Sequence, residues 1–398
     1  MRGRKLLTAA VSAVLITGAT VGVTAAPGLA AEPGTWALTP DNTEPDNRTI
    51  IESGGSWTLS GDLGRQSADW TTGTLTFPAK HMQHPVNRVA ARVDAAIPDG
   101  TEVAVDVRGK RPDGTWSEWT EVLPDTPAVL PNRTKTVQAR LVLTAPPDAR
   151  SPQVARIELS ASYDASAKPT AEVAGPAEGY RVFATREGLV GGTTANGHVI
   201  VARDHFVALP SRRGLADKNS GNYTVQVCTE NGARCEWAPV WDVGPWNTKD
   251  DYWNPNREMW QDLPQGKPEA QAAYLEGYNG GKDQFGRKVA NPAGIDLADG
   301  TFWDGLGFTD NGWVIVTYEW TVGGPWGTVA TSGPVLNVRA QPNTSSAVVG
   351  LAAKYAQVRI ECAVKGQVVE GNDTWFRINP GKYISAAYVR VGQAPSAC

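Results

Sequence analysis

The chain has 398 residues, 41% hydrophobic and only 20% charged, with a formal net charge of −4. That apolar share excludes a disordered chain, the low charge excludes a long coiled coil, and the acidic balance argues against nucleic acid, which needs clustered cations. Gly 42, Pro 28 and Trp 15 point to turn-rich β-domains, two or three at this length.

Arg2, Arg4 and Lys5 precede an uncharged apolar run from Leu6 to Val23. Small residues follow around Ala30 and Ala31. This is the pattern of a secretory signal peptide over residues 1–31. The run is rich in Ala, Thr and Gly, which is weakly apolar for a membrane anchor. A secreted, extracellular or wall-associated monomer is therefore expected, free of the membrane after cleavage. Loss of the three cations leaves a formal charge of −7.

Residues 32–55 are polar and Pro-containing and read as a loose leader. Residues 56–163 read as a β-sandwich. Val103 to Arg108 alternates with period two, Arg111-Pro-Asp-Gly114 is a turn, and Thr115 to Val122 returns as a hairpin. Gln138 to Thr144 and Val154 to Ser160 alternate again. Trp116 and Trp119 lie three apart in a strand, so they face opposite sides and one of them is core. Residues 164–178 read as a linker.

Residues 179–322 form the next unit. Strands are expected at Tyr180 to Thr185, His198 to Ala202, Asn222 to Val227, Glu236 to Val243 and Trp313 to Trp320. Between Pro245 and Pro292 the strand pattern stops. A helix is expected from Pro268 to Tyr278, ending near Gly277, and a second short one after Asp296. Residues 323–328 read as a linker, and 329–398 as a small β-barrel. The expected fold class is mainly β: sandwich, barrel with a partly helical insertion, small barrel.

Asn231-Gly232 lies midway between Cys228 and Cys235. Asn-Gly marks a two-residue hairpin turn, which sets the two cysteines opposite each other within disulfide reach. Cys362 and Cys398 remain as the second pair. A zinc site would need CxxC or His spacing that the chain lacks, so neither metal nor cofactor is expected.

Gly333-Pro-Val-Leu-Asn-Val-Arg339, Trp375-Phe-Arg-Ile378 and Gly381-Lys-Tyr-Ile-Ser385 resemble a bacterial SH3 domain over 329–391. The resemblance implies a cell-wall-binding or protein-binding module. The Thr115-Trp-Ser-Glu-Trp119 hairpin resembles, more loosely, accessory β-domains of secreted actinobacterial amidases and peptidases.

The middle unit carries Thr194-Ala-Asn-Gly197, Ala202-Arg-Asp-His-Phe-Val-Ala-Leu-Pro210, Trp241-Asp-Val-Gly-Pro245 and Gly294-Ile-Asp-Leu-Ala298. In this order they resemble the double-psi β-barrel proteins: rare lipoprotein A, barwin-like proteins and expansins. The resemblance implies a lytic transglycosylase-like site, with His205 and Asp242 carried over from rare lipoprotein A and Asp296 from the expansin branch. His198 stands where that pattern has an acid, and Val243 where it has Arg.

Glycosidic cleavage needs a protonated acid and a base. Asp242 lies among tryptophans, and burial beside aromatics keeps a carboxyl protonated. Plainer roles stand beside these: Asp242 bonding turn amides, Asp296 capping a helix, His205 packing in a strand. Trp241, Trp246, Trp253 and Trp260 offer flat faces on which sugar rings stack. Two or three tryptophans of this stretch are expected in the core, and Trp246, Trp253 and Trp260 in a groove. Asp250, Asp251 and Glu258 are expected to be solvated. The leading expectation is a protein that binds cell-wall glycan or peptidoglycan, with cleavage as the catalytic version. The alternatives are a non-enzymatic expansin-like or barwin-like carbohydrate binder, and a secreted protease inhibitor.

Overall fold

The computed structural model describes residues 34–40, 49–61, 70–146, 148–168 and 179–398. The expected signal peptide and residues 169–178 of the expected linker lie outside them. Among the described residues no helix is long and apolar enough to cross a membrane.

The N-terminal domain holds nine strands: β1 Thr35–Leu38, β2 Ile50–Ser53, β3 Ser56–Leu59, β4 Thr71–Thr76, β5 Lys80–Ala96, β6 Glu102–Gly109, β7 Thr120–Glu121, β8 Ala128–Ala145 and β9 Gln153–Ser162. They form one hydrogen-bonded sheet rather than two separate ones. The long strands make this possible. The start of β5 pairs with β8, its second half pairs with β9, and the end of β8 pairs with β4 and β6. The sheet closes over a single core that includes Trp57, Phe77, Val107, Leu141 and Ile157. Where it is described, at residues 34–40 and 49–55, the expected leader is part of this fold. β1 pairs with β9, and Leu38 and Ile50 enter the core.

The central barrel has six strands: β10 Tyr180–Arg186, β11 Val207–Leu209, β12 Thr224–Thr229, β13 Cys235–Val243, β14 Ala293–Leu297 and β15 Gly312–Tyr318. Their order is β11-β14-β10-β15-β12-β13, and β11 pairs with β13 to close the ring. Two of the pairings, β10 with β14 and β11 with β13, are parallel. The interior is filled by Val182, Val225, Val240, Ile295, Leu297 and Val316. His198 to Ala202 is not a strand. Asp204 accepts the Val201 amide at 2.8 Å, and a turn follows. β11 and β14 were missed because short strands buried on both sides show no alternation.

The insertion holds one helix, α1 Glu269–Glu276, entered at Pro268 and ended by Gly277 at φ 71°. A single turn at Thr301–Gly305 follows β14. Disulfides join Cys228 to Cys235 and Cys362 to Cys398.

The C-terminal domain runs through β16 Trp326–Val329, β17 Val335–Arg339, β18 Val348–Ala353, β19 Gln357–Arg359, β20 Cys362–Val369, β21 Asn372–Asn379, β22 Lys382–Ser385 and β23 Val389–Val391. The expected linker is partly strand, because Trp326–Val329 pairs with β19 and β23. β18 pairs with barrel strand β13, so one sheet runs through both domains.

Candidate functional site

Four residues stand in register across the barrel wall: Thr185 on β10, Asp296 on β14, Ala208 on β11 and Asp242 on β13. Registered neighbours share a face. Ile295 and Leu297 point into the core, so Asp296 between them points outward. The two aspartates are two strands apart, roughly 9.5 Å at the backbone. The Ala208 methyl between them leaves room for both carboxyls.

Asp242 Oδ1 accepts the Ala195 amide at 2.8 Å and the Val243 amide at 2.9 Å. Thr185 Oγ1 donates to Asp296 Oδ1. Burial pushes the Asp296 carboxyl up to about 7, a hydrogen bond from Thr185 opposes this, and the Asp242 charge adds to it.

Glu187, just past the end of β10, completes the group. Burial, then the charge and carboxyl of Asp242, then Asp296 and Asp204, raise it well above the ordinary range. Neighbouring carboxyls cannot both ionise at low cost, so the Asp242 charge favours the protonated form of Glu187. No motif marks Glu187 in the sequence. Its only signal is its place after a strand that pairs with the Asp296 strand.

An irregular hairpin over 189–204 borders the cluster. Gly191 and Gly192 bond to Ile200, and Thr193 bridges Val199. Its tip, Thr194–Gly197, supplies the Ala195 amide to Asp242. Ile200 is buried, whereas Val190, Val199 and Val201 are 56%, 37% and 54% exposed. His198 Nε2 lies 2.7 Å from Asp204 Oδ2.

His205 is not brought to this cluster. Its Nδ1 is 3.0 Å from Glu236 Oε1, which also accepts from Thr301 Oγ1 at 3.0 Å. Its Nε2 faces Gly300, where a Cβ would lie 2.6 Å away. Burial lowers the His205 pKa, but the hydrogen bond and charge of Glu236 more than offset this, and the net shift is upward. The pair ties β11 to β13 and to the turn after β14.

The expected tryptophan groove does not form. Trp253 is 1% exposed, stacks on Tyr318 at 4.9 Å and donates to Glu118 at 2.8 Å. Trp241 is buried against Phe206 and donates to the Ser220 carbonyl at 2.8 Å. Each indole N–H finds an acceptor within the fold, so these rings serve the core. Trp246 is half-buried on the small core of the insertion and donates to Asn291 at 3.0 Å. Trp260, also half-buried, meets the Tyr278 ring edge-on at 5.9 Å. A more exposed indole is Trp303, between Arg186 at 4.9 Å and Arg203 at 4.7 Å. These arginines adjoin Glu187 and Asp204 in the chain.

Asp250 and Asp251 are fully buried, not solvated. Asp250 pairs with Arg257, and Asp251 with Arg213 at 2.9 Å. Burial pushes Glu258 up to about 8, with Arg212 opposing. A cleft of about 640 Å³ runs between these residues and the N-terminal domain, lined by Glu121, Leu123, Lys249, Arg257, Glu258 and Met259.

The comparisons divide the chain in three. Residues 33–123 match the Peptidase C39 N-terminal domain, 178–317 match a domain of unknown function, and 334–392 match the bacterial SH3 domain. No curated protein matches the chain.

Proposed function

We propose that this is a secreted, wall-associated protein whose central barrel binds a peptidoglycan-type glycan strand and cleaves it at Glu187, Asp242 and Asp296. The supporting observation is the carboxyl row itself: Asp242 and Asp296 flank Ala208, and Glu187 lies against Asp242. A group holding its proton near neutral pH is what protonation of a leaving glycosidic oxygen requires. Asp296 and Glu187 meet that requirement. An ionised carboxyl of the row then takes the proton of the attacking hydroxyl. That hydroxyl belongs to the same sugar in a transglycosylase and to water in a hydrolase. The resemblance to rare lipoprotein A favours the first. The bacterial SH3 domain suits retention at the wall. All four cysteines are bonded in disulfides, so the proposed chemistry runs through carboxyls rather than a thiol.

A second reading has its own support. Asp242 Oδ1 is held by two backbone amides, as a structural aspartate would be, and the carboxyls are largely covered. A binder without chemistry fits those two facts. Purified sacculi separate the readings. The enzyme releases soluble fragments, and their mass shows whether water was added. Asp296→Asn and Glu187→Gln each lower release by about 10²-fold or more, as loss of a general acid does. Retention on sacculi with no release by the wild type assigns the protein to the binders.

A further inference from the structure

We propose that the N-terminal domain sets the geometry of the carboxyl site through Thr74, making it part of the site's machinery rather than a separate wall-binding attachment. This rests on the reading of the carboxyl row as the functional site.

The contact runs through three residues of two domains. Thr72, Thr74 and Thr76 alternate along β4 and share a face. Thr74 is 5% exposed, and its Oγ1 donates to the Ala195 carbonyl at 2.9 Å. The same Ala195 peptide segment donates its amide to Asp242 Oδ1 at 2.8 Å. Ala195 is thus gripped on both sides, by the N-terminal domain and by the carboxyl it orients. One residue on, Asn196 Nδ2 donates to the Ala216 carbonyl at 3.0 Å. Thr76 Oγ1 reaches Asp217 Oδ1 at 2.9 Å, and Arg108 reaches Asp217 Oδ2 at 2.5 Å. The hairpin tip and the 216–217 segment are therefore both fixed to the same sheet of the N-terminal domain.

The grip has a chemical consequence. A hydrogen bond donated to a carboxylate favours its ionised form. The Ala195 amide therefore favours the ionised form of Asp242, whose charge in turn favours the protonated form of Glu187. Asp296 and Asp204 are the other charges acting on that pair. Without the Thr74 hydroxyl the Ala195 carbonyl loses a buried donor and the tip relaxes. The Asp242 hydrogen bond weakens, and Asp242 holds its proton to higher pH.

The test uses full-length protein and the carboxyl carbon resonances of Glu187 and Asp242, followed by NMR against pH. Thr74→Val moves the titration of the pair upward by about half a pH unit or more, an effect of the size one lost hydrogen bond gives. Thr74→Ser keeps the hydroxyl and the wild-type titration. Thr72→Val is the control, because Thr72 meets Thr144 inside the N-terminal domain, 3.4 Å away, and it leaves the titration in place. An unmoved titration in Thr74→Val overturns the proposal. So does an equal shift in Thr72→Val, which would mean general loosening. If Thr74→Val does not fold, Thr74→Ser decides: a wild-type titration upholds the proposal and a shifted one overturns it. Sacculus release is scored separately, so absence of glycan cleavage removes the functional reading without deciding the coupling.

Discussion

Asp296 is a buried carboxyl whose stability contribution depends on pH. Its carboxyl is buried beside Asp242 and is pushed up to about 7, far above the usual carboxylate range. The unfolded chain ionises this group near pH 4, and the folded protein only near 7. Its contribution to stability is therefore complete below about pH 4 and is lost as pH rises through about 7. Glu187 acts in the same direction. Asp296→Asn keeps an oxygen for Thr185 and removes the charge. We expect it to be more stable than wild type at pH 8 by on the order of 2 kcal/mol, with the gain gone at pH 4. Urea midpoints at the two pH values check this, and an equal difference at both would refute it. The sequence marked Asp296 through motif likeness, and Asp242 through motif likeness and its neighbouring tryptophans. It could not mark Glu187, because the contact exists only once a parallel pair brings β10 beside β14. His205 misled for the opposite reason. Its motif placed it near Asp242 in the chain of likeness, whereas Glu236, thirty-one residues away, captured the ring.

At the scale of elements, strand pairing decides what local pattern could not. The pairing of Cys228 with Cys235 was legible because Asn231-Gly232 lies midway between them, although the turn closes over 230–233, with the Gly232 amide donating to the Thr229 carbonyl at 2.8 Å, rather than over two residues. The helix at Glu269–Glu276 was legible from Pro268 and Gly277. The burial of Trp253 and Asp251 was not, because their partners Glu118 and Arg213 come from other elements; Asp250 is buried with Arg257 of its own insertion. The pairing of β13 with β18 was equally hidden, since no repeat or turn announces it. A glycine makes that pairing possible. A Cβ on Gly350 would lie 2.3 Å from the Cys235 carbonyl oxygen, and both atoms belong to backbone that cannot swing aside. Gly350→Ala should therefore part β13 from β18 and open the core that Cys235 and Trp237 of β13 share with the C-terminal domain. The expected result is two separate thermal transitions in place of one, read by calorimetry. A single transition at the wild-type temperature would sink the idea that this strand pair couples the domains.

For the whole molecule, the boundary between the N-terminal domain and the barrel is built like an interior. Trp119 is fully buried in the barrel core and donates to the Leu215 carbonyl at 3.1 Å. Glu118 accepts the indoles of both Trp253 and Trp320 at 2.8 Å. Asp106 lies between Arg140 of its own domain, at 2.8 Å, and Arg212 of the barrel, at 3.3 Å. Burial alone would raise its pKa, but the charges of Arg212 and Arg140 outweigh this and hold it below the usual range. Such a group stabilises the fold above its unfolded pKa and loses that contribution as pH falls through the folded one. Removing one partner of a buried pair leaves the other charge uncompensated, at a cost of about 3–5 kcal/mol. Asp106→Asn should thus destabilise both domains together at pH 7, with a single lowered transition and a smaller loss near pH 3. If only the N-terminal domain melted earlier, the two would be independent modules. The same logic predicts that residues 179–398 expressed alone do not give a soluble barrel. That piece carries Arg212, Arg213 and Lys249 with no Asp106, Glu118 or Glu121 to meet them, and exposes the surface that Trp119 fills.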